Sequence, residues 1–157
     1  MNLRAAAARV MFQVVEEGCS LSDCLPPELS RLNDPRDRAL LQAICFGVCR
    51  WYFRLDAIAQ RLLDNPLKQK DQDIYMLLLV GLYQLIDMRI PGYAAVSETV
   101  DAAKSFKKIW AKGLLNGVLR QYQRNANEFT DESLDSHPEW HPAPSRNKVA
   151  APGRDKR

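Results

Sequence analysis

Histidine, glycine and long apolar runs are all scarce in this chain of 157 residues. It holds two histidines and seven glycines, and its longest fully apolar core, Met76–Gly81 with the flanking Ile74, Tyr75, Leu82 and Tyr83, falls well short of the roughly 18 residues that cross a bilayer. No membrane span is expected. The N-terminus, Met1-Asn2-Leu3-Arg4-Ala5, lacks the charged start and apolar core of a secretory signal, so a cytoplasmic location is expected. No GxGxxG, phosphate-cradling P-loop or HExxH occurs, which removes the usual sequence routes to nucleotide binding and metal hydrolysis. No cofactor and no metal are expected.

The four cysteines, at 19, 24, 45 and 49, form no CxxC pair and have no histidine among them. They read as reduced thiols. Cys45 and Cys49 stand one helical turn apart, and the functional alternative, half a metal site, lacks further ligands nearby. His137 and His141 are each followed by proline, which disfavours a helix presenting them as paired ligands. They read as solvated tail residues. With so little histidine, no reactive thiol motif and carboxylates placed mostly at helix starts, the chain offers no catalytic residues.

What is present is ordinary globular composition, 46% hydrophobic and 26% charged, in a chain long enough to bury a core without disulfides or metal. Charge divides unevenly. Residues 136–157 hold five basic and two acidic residues, which accounts for the whole formal charge of +3 and leaves residues 1–135 balanced at 17 of each sign. Pro138, Pro142, Pro144 and Pro152 fall in that same stretch, so two regions are expected: a helical domain over 1–135 and a disordered, basic, Pro-rich tail over 136–157.

Within the domain, apolar residues recur at three and four positions almost throughout, and no sustained strand-like alternation appears. The reading is all-α, a compact bundle of about seven helices. The first runs from Leu3 to a stop at Gly18; the second restarts at Ser20 and is ended or kinked by Pro26 and Pro27. Asn33-Asp34-Pro35 starts a third, reaching about Phe53, and a fourth spans Asp56 to Leu63. The fifth, Gln72 to Met88, is apolar nearly all round and should be the central helix. After Pro91-Gly92 a sixth covers 94–105 and a seventh 110–126.

One stretch carries a functional signal. Between Ala102 and Asn127 there are six basic residues, Lys104, Lys107, Lys108, Lys112, Arg120 and Arg124, and no acidic one, with Trp110 and Tyr122 interleaved. Cations of this kind grip phosphates and aromatic rings stack unpaired bases, so the stretch is a candidate RNA-binding face, which Arg4 and Arg9 on the first helix could extend. The plainer alternative is a solvated helix face with Trp110 buried.

Several blocks then bear a resemblance. Asp37-Arg38-Ala39-Leu40-Leu41, Phe46-Gly47-Val48-Cys49-Arg50, Leu55-Asp56, Gly81-Leu82-Tyr83-Gln84-Leu85, Arg89-Ile90-Pro91, Ala94-Ala95-Val96-Ser97-Glu98-Thr99-Val100 and Lys112-Gly113-Leu114-Leu115-Asn116-Gly117-Val118-Leu119-Arg120 occur in order. Together they resemble the NusB-like family and, more closely, the N-terminal domain of the RsmB (Sun/Fmu) ribosomal RNA cytosine-C5 methyltransferases, over roughly residues 3–140. The resemblance implies an all-helical fold of two packed subbundles and a role in RNA binding. Free-standing family members join a transcription antitermination complex on ribosomal RNA leaders, and the fused domain helps its methyltransferase engage small-subunit ribosomal RNA. Among the matching positions, Gly47, Gly81, Gly113 and Gly117 are expected to permit close helix approach, and Glu98 and Asn116 to pair between the last two helices.

The methyltransferase chemistry needs a cysteine thiolate to attack cytosine and a cofactor domain to present the methyl group. Ala150-Ala151-Pro152-Gly153 is similar to part of the family's cofactor loop, but Val149 stands where its cysteine would be. The catalytic half is expected to be missing. The expectation is therefore a non-catalytic domain that binds ribosomal RNA, working beside a separately encoded methyltransferase domain or left by truncation. The alternatives are a NusB-like adaptor that docks on a ribosomal protein or transcription factor, and an inactive methyltransferase fragment.

Overall fold

A computed structural model describes residues 2–88 and 90–129. The expected tail over 136–157, with His137, His141 and Ala150–Gly153, lies outside the described residues. Among the described residues there are seven α-helices, short 3-10 turns and no strand: α1 (Leu3–Glu17), α2 (Leu21–Leu29), α3 (Pro35–Arg50), α4 (Tyr52–Leu62), α5 (Gln72–Ile86), α6 (Gly92–Asp101) and α7 (Ala111–Arg124). The all-α reading holds.

The ends of the first three helices follow local chemistry. The Asn2 side chain accepts from Arg4 N and Ala5 N at 2.8 and 3.1 Å, and Gly18 closes α1 at a φ of 73° that an L-residue adopts only at a cost. Ser20 caps α2, and Asp34 caps α3 by accepting from Arg36 N at 2.9 Å, with Pro35 in the first turn. Pro26 and Pro27 do not end α2, which continues through both to Leu29. The carbonyls they leave without a helical donor belong to Ser22 and Asp23, which are exposed to water on this short surface helix. The break expected after Phe53 falls earlier, at Trp51, whose φ of −106° and ψ of 22° separate α3 from α4. The sixth helix is also shorter than expected, ending at Asp101 and passing into a 3-10 turn over Ala102–Phe106.

Helix α5 is the centre of the bundle, packed on by α1, α3, α4, α6 and α7. Its residues from Ile74 to Leu82 are buried without interruption, which explains an apolar composition on every side. Helices α1, α2 and α3 pack together on one flank of α5, and α6 and α7 pack together and on α5 as a second group. Ala5, Ala6, Ala7 and Ala8 are fully buried, and their small side chains let α1 lie close to its neighbours.

Two of the four family glycines serve close packing. A Cβ on Gly47 would run into the Tyr83 ring at Cζ, and one on Gly81 would lie 2.9 Å from Cδ1 of Leu119 and 3.0 Å from Cγ2 of Thr99. Gly113 and Gly117 do not, because a Cβ at either position would meet nothing within 4 Å. They sit on the outward face of α7.

Candidate nucleic-acid interface

The sequence-predicted cations separate into those held by the fold and those left at the surface. Arg4 belongs to the interior of the α1–α5–α6 contact. Its Nε donates to Oε1 of Gln84 at 2.9 Å, while Gln84 Nε2 donates to Oγ1 of Thr99 at 2.9 Å and to the Val80 carbonyl at 3.1 Å. Gln84 and Thr99 are fully buried, so this chain satisfies polar groups that would otherwise be costly in the core. Burial pulls the Arg4 guanidinium below its usual value, and Glu98 partly restores it.

Glu98 therefore does not pair with Asn116. It is exposed and acts electrostatically on Arg4, whereas Asn116 Oδ1 accepts from Nε of Arg120 on its own helix at 3.0 Å. The i, i+4 spacing places Asn116 and Arg120 on the same helical edge, within easier reach of each other than of α6.

Arg9 faces Glu28 at 3.6 Å, a carboxylate that Arg31 also approaches at 3.6 Å. Lys108 is held more firmly. Its Nζ lies 3.1 Å from Asp71 Oδ1 and 2.9 Å from Asp73 Oδ1, and it donates to the Lys70 carbonyl at 2.7 Å. Asp71 is buried, so this lysine ties the turn before α7 to the start of α5 and completes a buried acid.

The remaining cations lie toward solvent. Lys107, Arg120 and Arg124 are exposed and Lys112 is half-exposed; Lys104 is exposed and bridges Asp101 at 2.9 Å. Asp101 is held below the usual carboxylate range by the Lys104 hydrogen bond and by the charges of Lys104 and Lys112. Arg120 and Arg124 share an outward stripe of α7 with Gly113 and Gly117, where the missing side chains leave the helix backbone open to approach. Among the described residues, Lys107 is the non-glycine residue with positive φ, 57°, at the end of the 3-10 turn. The turn then presents Ile109, 63% exposed, and Trp110, 55% exposed.

Trp110 is thus a surface ring and not a core residue. Tyr122 is different: it is half-buried and packs on Phe129 with ring centroids 5.6 Å apart. Among the described residues no group of three or more His, Cys, Asp or Glu is placed to hold an ion. Cys45 is buried, Cys24 donates to the Val10 carbonyl at 3.8 Å, and Cys49 reaches Sδ of Met11 at 3.6 Å. Burial pushes the Cys24 and Cys49 thiols up to about 12, which keeps both mainly in the less nucleophilic thiol form at neutral pH.

The polar interior was the part that sequence reasoning missed. Gln84 is the one amide in the apolar course of α5 from Ile74 to Ile86, and that isolation is the signal that it needs an internal partner. Nothing comparable marks Asp71 or Asp73 as the partners of Lys108, which lies 35 or more residues away along the chain.

No helix among the described residues is long and apolar enough to cross a membrane. The NusB family model matches residues 1–124. Among curated proteins, the chain is similar to ribosomal RNA small subunit methyltransferase B of Vibrio vulnificus, with 49% identity over 89% of this chain and 34% of the relative. Proteins of the same name from Vibrio cholerae and Escherichia coli share 51% and 46% identity over 87% and 88% of this chain, and 31% and 33% of their own lengths. The chain therefore spans about a third of the relatives it matches. The matched span takes in all seven helices and the polar chain that joins α1, α5 and α6, and on that ground this chain belongs to the NusB family.

Proposed function

We propose that this domain is a non-catalytic RNA-binding unit that engages small-subunit ribosomal RNA, the substrate named for its relatives. The observation that carries the reading is the outer surface of α7 and the turn before it. Lys107, Arg120 and Arg124 are exposed there and Lys112 half-exposed, in a stretch that also exposes Trp110 and has no acidic residue between Ala102 and Asn127. Phosphates of one strand meet the cations, and an unpaired base stacks on Trp110. Lys104 adds charge at the rim, shared with Asp101. Arg4, Arg9 and Lys108 support the fold that presents this face. On this reading methyl transfer is the work of a separate catalytic domain; of the thiols here, Cys24 and Cys45 are buried in the helical core.

Affinity for a small-subunit ribosomal RNA fragment, measured at several salt concentrations, tests the reading. Charge reversal at Lys107, Lys112 and Arg120 together should weaken binding and flatten the salt dependence, by about 0.7 to 0.9 in log–log slope per lost phosphate contact. Unchanged affinity and slope would sink it. A second reading, an adaptor for a ribosomal protein or transcription factor, is favoured by the apolar exposure of Ile109 and Tyr93, the latter 78% exposed. It predicts that Ile109→Glu abolishes partner binding while leaving RNA affinity intact.

A further inference from the structure

A second basic and aromatic surface lies on α3, away from the stretch that composition singled out. Arg36, Ala39, Ala43, Phe46 and Arg50 recur at steps of three, four and seven and are all exposed. Leu41, Ile44, Cys45 and Val48 take the opposite side of the helix into the core. The acids nearest in sequence are off this stripe: Asp34 caps the helix start and Asp37 is half-buried on the flank. Phe46 is 52% exposed, one turn before the Arg50 end of the stripe.

The far end is charged and flat. The Arg50 guanidinium lies 5.5 Å from the centroid of the Trp51 ring, and that of Arg54 lies 5.7 Å from the same ring. Such stacking orients a guanidinium while leaving its in-plane donors for an anion. Asp56, the acid that follows on α4, is drawn inward to accept from the Tyr75 hydroxyl.

We propose that the outward face of α3 is a second RNA contact, in which Arg36 and Arg50 take phosphates of a single strand and Phe46 stacks one of its bases. The inference rests on the reading of this domain as an RNA binder and adds a separate surface to it. Arg36 and Arg50 are about 21 Å apart along the helix at 1.5 Å per residue, which makes room for a few nucleotides between them, with the Phe46 ring about 6 Å along the axis from Arg50 and about 15 Å from Arg36. Ala39 and Ala43 contribute only methyl groups. They give a protein helix little apolar area to bury, yet they keep the face smooth enough for a sugar–phosphate backbone.

Binding of the full 157-residue chain to a short oligouridylate, titrated at several salt concentrations, tests the inference. Arg36→Glu with Arg50→Glu should weaken binding about tenfold or more and lower the log–log salt slope by about 1.4, two single-strand phosphate contacts. Phe46→Ala should weaken it about tenfold with the slope unchanged, and Phe46→Tyr should keep it, because only the ring is needed. Thermal melts of each variant establish that the fold is intact. Reversal of Lys112, Arg120 and Arg124 in parallel separates the two surfaces. If the α3 variants bind as the parent does while the α7 reversals lose affinity, the α3 proposal is overturned and the α7 reading stands. If only the α3 variants lose affinity, the reverse holds, and a chain that binds no oligouridylate overturns both.

Discussion

Replacing Lys108 by methionine separates a cation that builds the fold from cations that merely decorate it. Methionine keeps the length of the side chain and its packing, and removes the ammonium that lies 3.1 Å from Asp71 and 2.9 Å from Asp73. At about 3 Å and an effective dielectric near 20, each contact is worth about 5 kcal/mol before desolvation. Lys108 and Asp73 are 22% and 24% exposed and Asp71 is 9% exposed, so solvent screening reduces the net value toward that of a half-buried pair. We expect a loss of about 2 kcal/mol, between the 0–1 of surface pairs and the 3–5 of a broken buried pair. For a domain of this size that lowers Tm by about 6–8 °C.

Lys107→Met, one residue away but exposed, should stay within about 0.5 kcal/mol of the parent. Urea or thermal unfolding followed by circular dichroism measures both. The difference also has a pH signature. Burial pulls the Lys108 ammonium down, and Asp73 and Asp71 more than offset this, leaving its pKa above the ordinary lysine value. A folded-state pKa above the unfolded one gives stability that is fully present at neutral pH and lost as pH rises through the raised value. Parent and Lys108→Met should therefore converge only at alkaline pH. Equal stability of the two lysine variants at neutral pH would refute the division into structural and free cations.

Three further outcomes are expected. Gly47→Ala forces a methyl into the Tyr83 ring and should cost about 1–3 kcal/mol, whereas Gly113→Ala and Gly117→Ala, on the open face of α7, should stabilise by about 0.4–1 kcal/mol; denaturant melts of the three variants decide it. Burial raises the Asp56 pKa despite its hydrogen bonds with Tyr75 and Gln60, so this group favours the fold most at acid pH and loses that advantage as pH rises through the raised value. Asp56→Asn should remove that fall from the stability–pH profile. With Cys24 and Cys49 pushed up to about 12 and Cys45 higher still, iodoacetamide at pH 8 should label the native protein at the half-exposed Cys19 first; mass spectrometry showing earlier labelling at Cys45 would contradict the packing of α3.

The helical architecture was legible in the residues because it rests on short-range chemistry. Asn2, Ser20 and Asp34 cap where such residues satisfy free amides, Gly18 stops α1 where a left-handed turn is needed, and the uninterrupted apolar course of α5 marks it as central. The ordered blocks carried the family in the same way. Less legible were events that depend on what surrounds a helix. Pro26 and Pro27 stay inside α2, where the carbonyls they orphan belong to the exposed Ser22 and Asp23, and Trp51 breaks the chain earlier than periodicity suggests.

The candidate site shows the same limit more sharply. Composition identifies Lys104, Lys107, Lys108, Lys112, Arg120 and Arg124 as one basic stretch, since charge can be counted along a chain. Only the packing of α5 against the turn before α7 brings Asp71 and Asp73 to Lys108, and only the approach of α1 to α5 and α6 draws Arg4 into the chain of Gln84 and Thr99. The matching family positions likewise led to Gly113 and Gly117 being expected at a helix contact, when they stand on the open side of α7. A residue's charge, size and helical phase are local properties and belong to the sequence. Which partner meets that charge, and which side of a helix is covered, are set by elements distant in the chain, and the tertiary structure decides them.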